Sequence, residues 1–173
     1  MDTAMLIIRV VFGLAMAAHG SQKLFGWFGG YGIKAAGGFF EGLGFRPGVP
    51  FAIAAGLSEL GGGVLIATGL LTPFGAAAVL STMLVAMFSV HSKNGFFATS
   101  NGIELPLLYA VAAVAVAWAD AGAYSLDRLL GLDLLFPSYA AIGLLALAAA
   151  GALVTLGTRH RDTSLNSEAG ARS

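Results

Sequence analysis

Five apolar runs, each approaching the ~20 residues that a helix needs to cross a bilayer, constrain this chain more than any other feature. They cover residues 4–18, 51–71, 74–90, 105–119 and 139–157. Only Arg9 and Glu59 interrupt them with charge. Apolar residues make up 57% of the chain and charged ones 10%, against the ~25% charged usual in a soluble domain. Nine Lys and Arg balance nine Asp and Glu, so no basic excess points to nucleic acid. The chain has no cysteine, which excludes disulfides, thiolate metal sites and sulfur nucleophiles of its own. The expectation is an all-α integral membrane protein. It consists of a four-helix transmembrane bundle over 1–133, a fifth C-terminal transmembrane helix over 134–158 and a polar cytoplasmic tail over 159–173.

Punctuation supports that division. Thr72-Pro73 predicts a tight hairpin between spans two and three, because the residue before proline resists helix. Pro50 and Pro137 mark helix starts, where a missing N–H costs nothing. The first span lacks a basic n-region and a small-residue cleavage site, and is read as retained. Between residues 20 and 50, Phe25, Trp27, Phe28, Tyr31, Phe39, Phe40 and Phe45 alternate with glycines and with Lys23, Lys34, Glu41 and Arg46. Amphipathic rings and snorkelling cations settle at the headgroup boundary, so this is an aromatic interfacial loop. A short helix is expected near 33–43, lying along the membrane or folded back over the bundle.

With five spans, Lys23, Lys34, Arg46, Lys93, Arg159, Arg161 and Arg172 share one side, and Arg128 alone occupies the other. The bias puts the seven in the cytoplasm, with the N-terminus outside and the C-terminus inside. The protein is expected in the cell membrane, in contact with lipid.

Ionisable groups inside spans are costly and call for a partner or a role. Counted from the ends of their apolar runs, Arg9 lies roughly 15 Å deep and Glu59 roughly 13 Å. Their depths match and their charges oppose, so a buried Arg9–Glu59 ion pair is expected. His19 and Lys23 lie one helical turn apart at the end of span one, His91 and Lys93 close span three, and Glu104 opens span four. On that reckoning His19, Gln22, Lys23, Glu59, His91 and Glu104 converge on one mouth of the bundle, with His91 and Glu104 in contact. Each also has a plain structural account: snorkelling for the lysines, water for the histidines, and the helix dipole for Glu104. Gly56, Gly61, Gly62 and Gly63 suit close helix packing, and such glycine-rich faces allow a homodimer.

The strings HGSQKLFGWFGGYG at 19–32, FFEGLGFRPG at 39–48 and AGLSELGGGVLIATGLLTP at 55–73 resemble the DoxX family of small bacterial and archaeal membrane proteins. The likeness continues through HSKNGFF at 91–97, NGIELPLLY at 101–109 and SLDRLLG at 125–131. The resemblance implies a four-helix membrane domain that serves oxidoreductase systems. It also implies soluble partners such as a sulfurtransferase or a superoxide dismutase.

The leading expectation is a membrane subunit of an oxidoreductase complex that binds a quinone or similar lipid-soluble carrier near the cytoplasmic leaflet. His19, Glu59, His91 and Glu104 would handle protons, and Gln22, Lys23, Trp27, Phe28 and Phe97 would bind the carrier, the three aromatics forming a lid. The alternatives are a small-solute or proton transporter and a membrane anchor without chemistry. A haem or metal on His19 and His91 is less favoured, since no spacing motif supports it.

Overall fold

The computed structural model describes residues 2–133 and 138–160. The expected helix start at Pro137, and the basic residues Arg161 and Arg172, lie outside the described residues. The described chain is all-helical: α1 (Asp2–Phe25), α2 (Gly32–Gly42), α3 (Gly48–Thr68), α4 (Thr72–Ala86), α5 (Glu104–Trp118), α6 (Leu126–Leu129) and α7 (Ser138–Gly157). A π turn at Met87–His91 and a 3-10 turn at Ser92–Asn94 prolong α4.

Among the described residues, four helices are long and apolar enough to cross a membrane: Asp2–Phe25, Gly48–Thr68, Thr72–Asn94 and Tyr139–Gly157. The fourth apolar run forms α5, whose 15 residues rise only about 22 Å, short of a ~30 Å hydrocarbon core. α5 packs on α4 and α7 and completes the bundle. The protein is a multi-pass membrane protein. Successive long helices alternate in direction, which gives the bundle two poles. One holds α2, the α4–α5 loop and the end of α7. The other holds the α3–α4 turn and α6.

The most extensive helix contact is between α1 and α3. Apolar side chains gain nothing by leaving lipid for a neighbouring helix, so close backbone approach drives this packing. A Cβ built on Gly13 would stand 2.5 Å from the Gly63 carbonyl oxygen, and one on Gly20 would stand 2.5 Å from that of Gly56. On its other face α3 meets α4, where a Cβ on Gly62 would lie 2.8 Å from the Gly75 carbonyl. Gly61 departs from the expectation, because a Cβ there meets nothing.

Pro73 sits in the first turn of α4, so the reversal lies just upstream of the expected Thr72-Pro73. Gly69 caps α3 in the left-handed region at φ 67°, and Leu71 precedes α4 at φ 47°. α2 fills the short helix expected near 33–43 and folds back onto α3 and α1. Phe12, Met16, Ile66, Val79 and Val116 lie in the dry core between the two poles.

Candidate functional site

At the turn pole, Arg9 is completely buried. Its Nη2 donates to the Tyr124 carbonyl at 2.9 Å, and its Nη1 reaches the Ile66 carbonyl at 3.5 Å. The guanidinium lies against the backbone at Gly69, where a Cβ would sit 1.9 Å from Nη1. Asp127 supplies the charge that acts on it. The Asp127 carboxylate is itself buried and accepts from Leu71 N at 2.7 Å, Thr72 N at 3.0 Å and Thr72 Oγ1 at 2.9 Å. Those two amides are among the orphan donors of the α4 N-terminus, so Asp127 caps that helix from a distant segment. Asp127 N closes the loop by donating to the Gly69 carbonyl at 2.8 Å.

The expected Arg9–Glu59 pair does not form. The antiparallel register places Gly13 beside Gly63 and Gly20 beside Gly56. Arg9 is therefore level with the α3–α4 turn, and Glu59 lies about 15 Å away along the axis. The depth estimate failed because α1 does not end with its apolar run at residue 18. It continues through His19, Gln22 and Lys23 to Phe25.

That extension carries Lys23 to Glu59 instead. Lys23 Nζ donates to Glu59 Oε2 at 2.5 Å, with the Glu59 side chain 3% exposed and the Lys23 side chain 30% exposed. Removing a carboxylate from water is costly, and the ammonium offsets that cost while its stem lies along apolar surface. The pair stands in the wall of a cavity of about 540 Å³, within the ~300–1,000 Å³ typical of small-molecule sites. α3 lends Ser58, and α2 and the start of α3 lend Phe39, Phe40 and Phe51.

From α4 come Ser81, Thr82, Val85, Ser89 and His91. The π turn at the end of α4 rotates its last residues relative to a regular helix, and such turns recur at functional sites. His91 Nδ1 pairs with the Asn101 carbonyl at 2.8 Å. A carbonyl can only accept, so Nδ1 carries hydrogen and Nε2 of a neutral ring keeps its lone pair.

The structure thus gathers Lys23, Glu59 and His91 on one cavity, and leaves the other expected residues elsewhere. Gln22 donates to the Phe28 carbonyl at 3.0 Å and lines a smaller neighbouring pocket. His19 packs its ring on Tyr109 of α5, with centroids 5.9 Å apart. Glu104 does not meet His91. It accepts from Ala98 N at 2.8 Å and pins the α4–α5 loop. The expected lid is also displaced: Trp27, Phe28 and Phe97 are 58%, 70% and 65% exposed and do not line the cavity. Among the described residues, no three His, Asp or Glu side chains are placed to hold a metal.

Sequence reasoning missed the hydroxyl groups. Residues 81, 85 and 89 recur every four, which puts Ser81 and Ser89 on one helical face. Ser58 directly precedes Glu59. Asn101 enters through its backbone carbonyl, which the loop carries to His91 and which no side-chain pattern marks.

Fold and cavity together describe a small multi-pass membrane protein whose α2 pole carries a ligand-sized cavity lined by both polar and apolar residues. The chain belongs to the DoxX family, whose model matches residues 4–92. That match covers α1 to α4 and every side chain of the Lys23–Glu59–His91 group, while NGIELPLLY and SLDRLLG lie beyond it. An uncharacterized protein of Haemophilus influenzae is 37% identical over 73 residues, 42% of this chain and 48% of that relative, about half its length. A second uncharacterized protein of that organism is 32% identical over 124 residues, 70% of this chain and 86% of its own. An uncharacterized membrane protein of Mycobacterium tuberculosis is 26% identical over 135 residues, 72% of this chain and 80% of its own. No solved structure matches the chain.

Proposed function

We propose that this protein is a membrane subunit of an oxidoreductase complex that binds a quinone or a similar lipid-soluble carrier in the cavity. The observation that carries the reading is the composition of that cavity: an ion pair, an imidazole and three phenylalanines line one volume within a membrane-embedded bundle. Such a carrier needs flat apolar walls for its ring and hydrogen-bonding groups for its oxygens, and these residues fit it. When bound, the carrier supplies the two-electron chemistry. Electrons would come from a partner, for which a soluble sulfurtransferase or superoxide dismutase system is the family's suggestion. This chain's residues hold and move protons. Lys23 Nζ donates to a carbonyl oxygen, and His91 Nε2 donates as imidazolium or accepts from a hydroxyl when neutral. Glu59 holds the ammonium in place.

The positive-inside rule assigns the α2 pole, with Lys23, Lys34, Arg46, Lys93 and Arg159, to the cytoplasm, against Arg128 at the turn pole. The cavity then opens near the cytoplasmic leaflet of the cell membrane. The core of Phe12, Met16, Ile66 and Val79 lies between this cavity and the Arg9 site, which favours a binding site over a solute or proton path through the bundle.

Quinone binding to the purified protein in nanodiscs tests the reading, followed by tryptophan quenching or calorimetry. Saturable binding that weakens about tenfold or more in Glu59→Gln and His91→Ala is expected, with Glu104→Ala unchanged. Absence of saturable binding, or equal affinity in all three variants, would overturn it.

A further inference from the structure

The cavity wall is incomplete in one direction. α3 contributes Ala54, Ala55 and Ser58, and α7 contributes Thr155, yet α7 packs on α4 and α5 rather than along α3. Ala54 lines the cavity and is also exposed. It lies six residues into α3, about 9 Å from the start of the helix, which is apolar depth rather than headgroup depth. Above this gap the rim is tied shut. Arg159 Nε donates to the Leu43 carbonyl at 2.9 Å, and His160 N donates to that of Gly44 at 2.8 Å. The Arg159 guanidinium also lies 5.6 Å from the centre of the Phe45 ring. The clasp closes the aqueous edge between α2 and α7, while the gap below it faces the bilayer.

We propose that the gap between α3 and α7 is a lateral portal for a single apolar chain, the isoprenoid or alkyl tail of the ligand whose polar head lies at Lys23, Glu59 and His91. The proposal rests on the ligand reading above for the head, but its own content is the path of the tail. A site that is polar at its inner wall and open to lipid at its side fits an amphiphile, which keeps its tail in the bilayer and exposes no apolar surface to water on binding. The small side chains of Ala54 and Ala55 line this stretch of α3.

Three probes test this on the full-length protein in nanodiscs: a tailless quinone, the same ring with a long alkyl tail bearing a diazirine, and a diazirine-bearing diacyl phospholipid. Photolysis of the tailed quinone should label the Ala54 and Thr155 peptides, and the phospholipid should label them far less. Ala54→Trp should weaken the tailed quinone about tenfold and the tailless ring by less than about twofold. Gly61→Trp, on the same helix but with open space around it, should change neither. If Ala54→Trp does not fold, the labelling map of the unaltered protein decides alone. Labels elsewhere, such as the apolar groove of Leu80, Val111 and Trp118, or equal labelling by the phospholipid, would overturn the portal. So would parallel loss of tailed and tailless binding. Tail labelling at Ala54 and Thr155 without any binding of the tailless ring would instead sink the quinone reading and leave the portal standing.

Discussion

The two poles of the bundle treat buried charge in opposite ways. At the turn pole, Arg9 and Asp127 spend their hydrogen bonds on backbone carbonyls and amides and on Thr72. At the α2 pole, Lys23 and Glu59 bond to each other and stand in a cavity wall. Charge directed at backbone fixes a fold, since every partner belongs to a chain segment that must stay in place. Charge paired side chain to side chain beside open volume can exchange partners with a ligand. The intramembrane charges of one chain therefore carry different meanings, and their bonding partners separate them.

The contrast breaks most readily at the turn pole. Asp127→Ala should be the most disruptive change, costing about 3–5 kcal/mol, because it strands Arg9 without its counter-charge and uncaps α4. Unfolding in detergent, followed by circular dichroism, measures that loss. The Arg9→Met/Asp127→Ala double variant should cost less than the sum of the single losses, since the two sites are coupled. Additive losses would show that Arg9 and Asp127 act independently.

Helix packing offers the next test. Gly63→Leu should cost roughly 1–3 kcal/mol or more by forcing α1 off α3, whereas Gly61→Leu should stay within about 0.5 kcal/mol. Comparing the two melting curves isolates close approach from hydrophobicity, because both variants add the same side chain on one helix.

At the α2 pole, Glu59→Gln should lower stability by only about 1 kcal/mol, since the Lys23 ammonium can turn to water or headgroups. A loss as large as that of Asp127→Ala would make Lys23–Glu59 a fold-fixing pair and erase the distinction. Smallest of all, His19→Ala should leave ligand affinity unchanged in the same nanodisc assay. A tenfold loss there would return His19 to the site.

Much of the fold was legible in the sequence, and the candidate site only in part. Apolar runs, proline punctuation and the interfacial aromatics carry helix number and order, because membrane burial rewards them residue by residue. Depth was misjudged where a helix outlasts its apolar run. α1 continues for seven residues past Ala18, which moved Lys23 onto Glu59 and left Arg9 to the far pole. Glu104 and His91 lie near each other in the chain order of their pole, yet the loop between them supplies each with its own backbone partner. Asp127 gave no signal of its role, because a cap donated across more than fifty residues has no local spacing.

The sequence by itself determined that this is a membrane bundle, that spans two and three are antiparallel neighbours, and that Arg9 and Glu59 bear charge within spans. These follow from one-dimensional quantities: length, hydropathy and the position of proline and glycine. Tertiary structure alone decided which charge meets which, that Ser89 and His91 line one cavity with Lys23 and Glu59, and that α7 packs on α4 and α5. Those outcomes depend on the register between helices, which glycine contacts set to within one turn, and one turn is enough to exchange a partner.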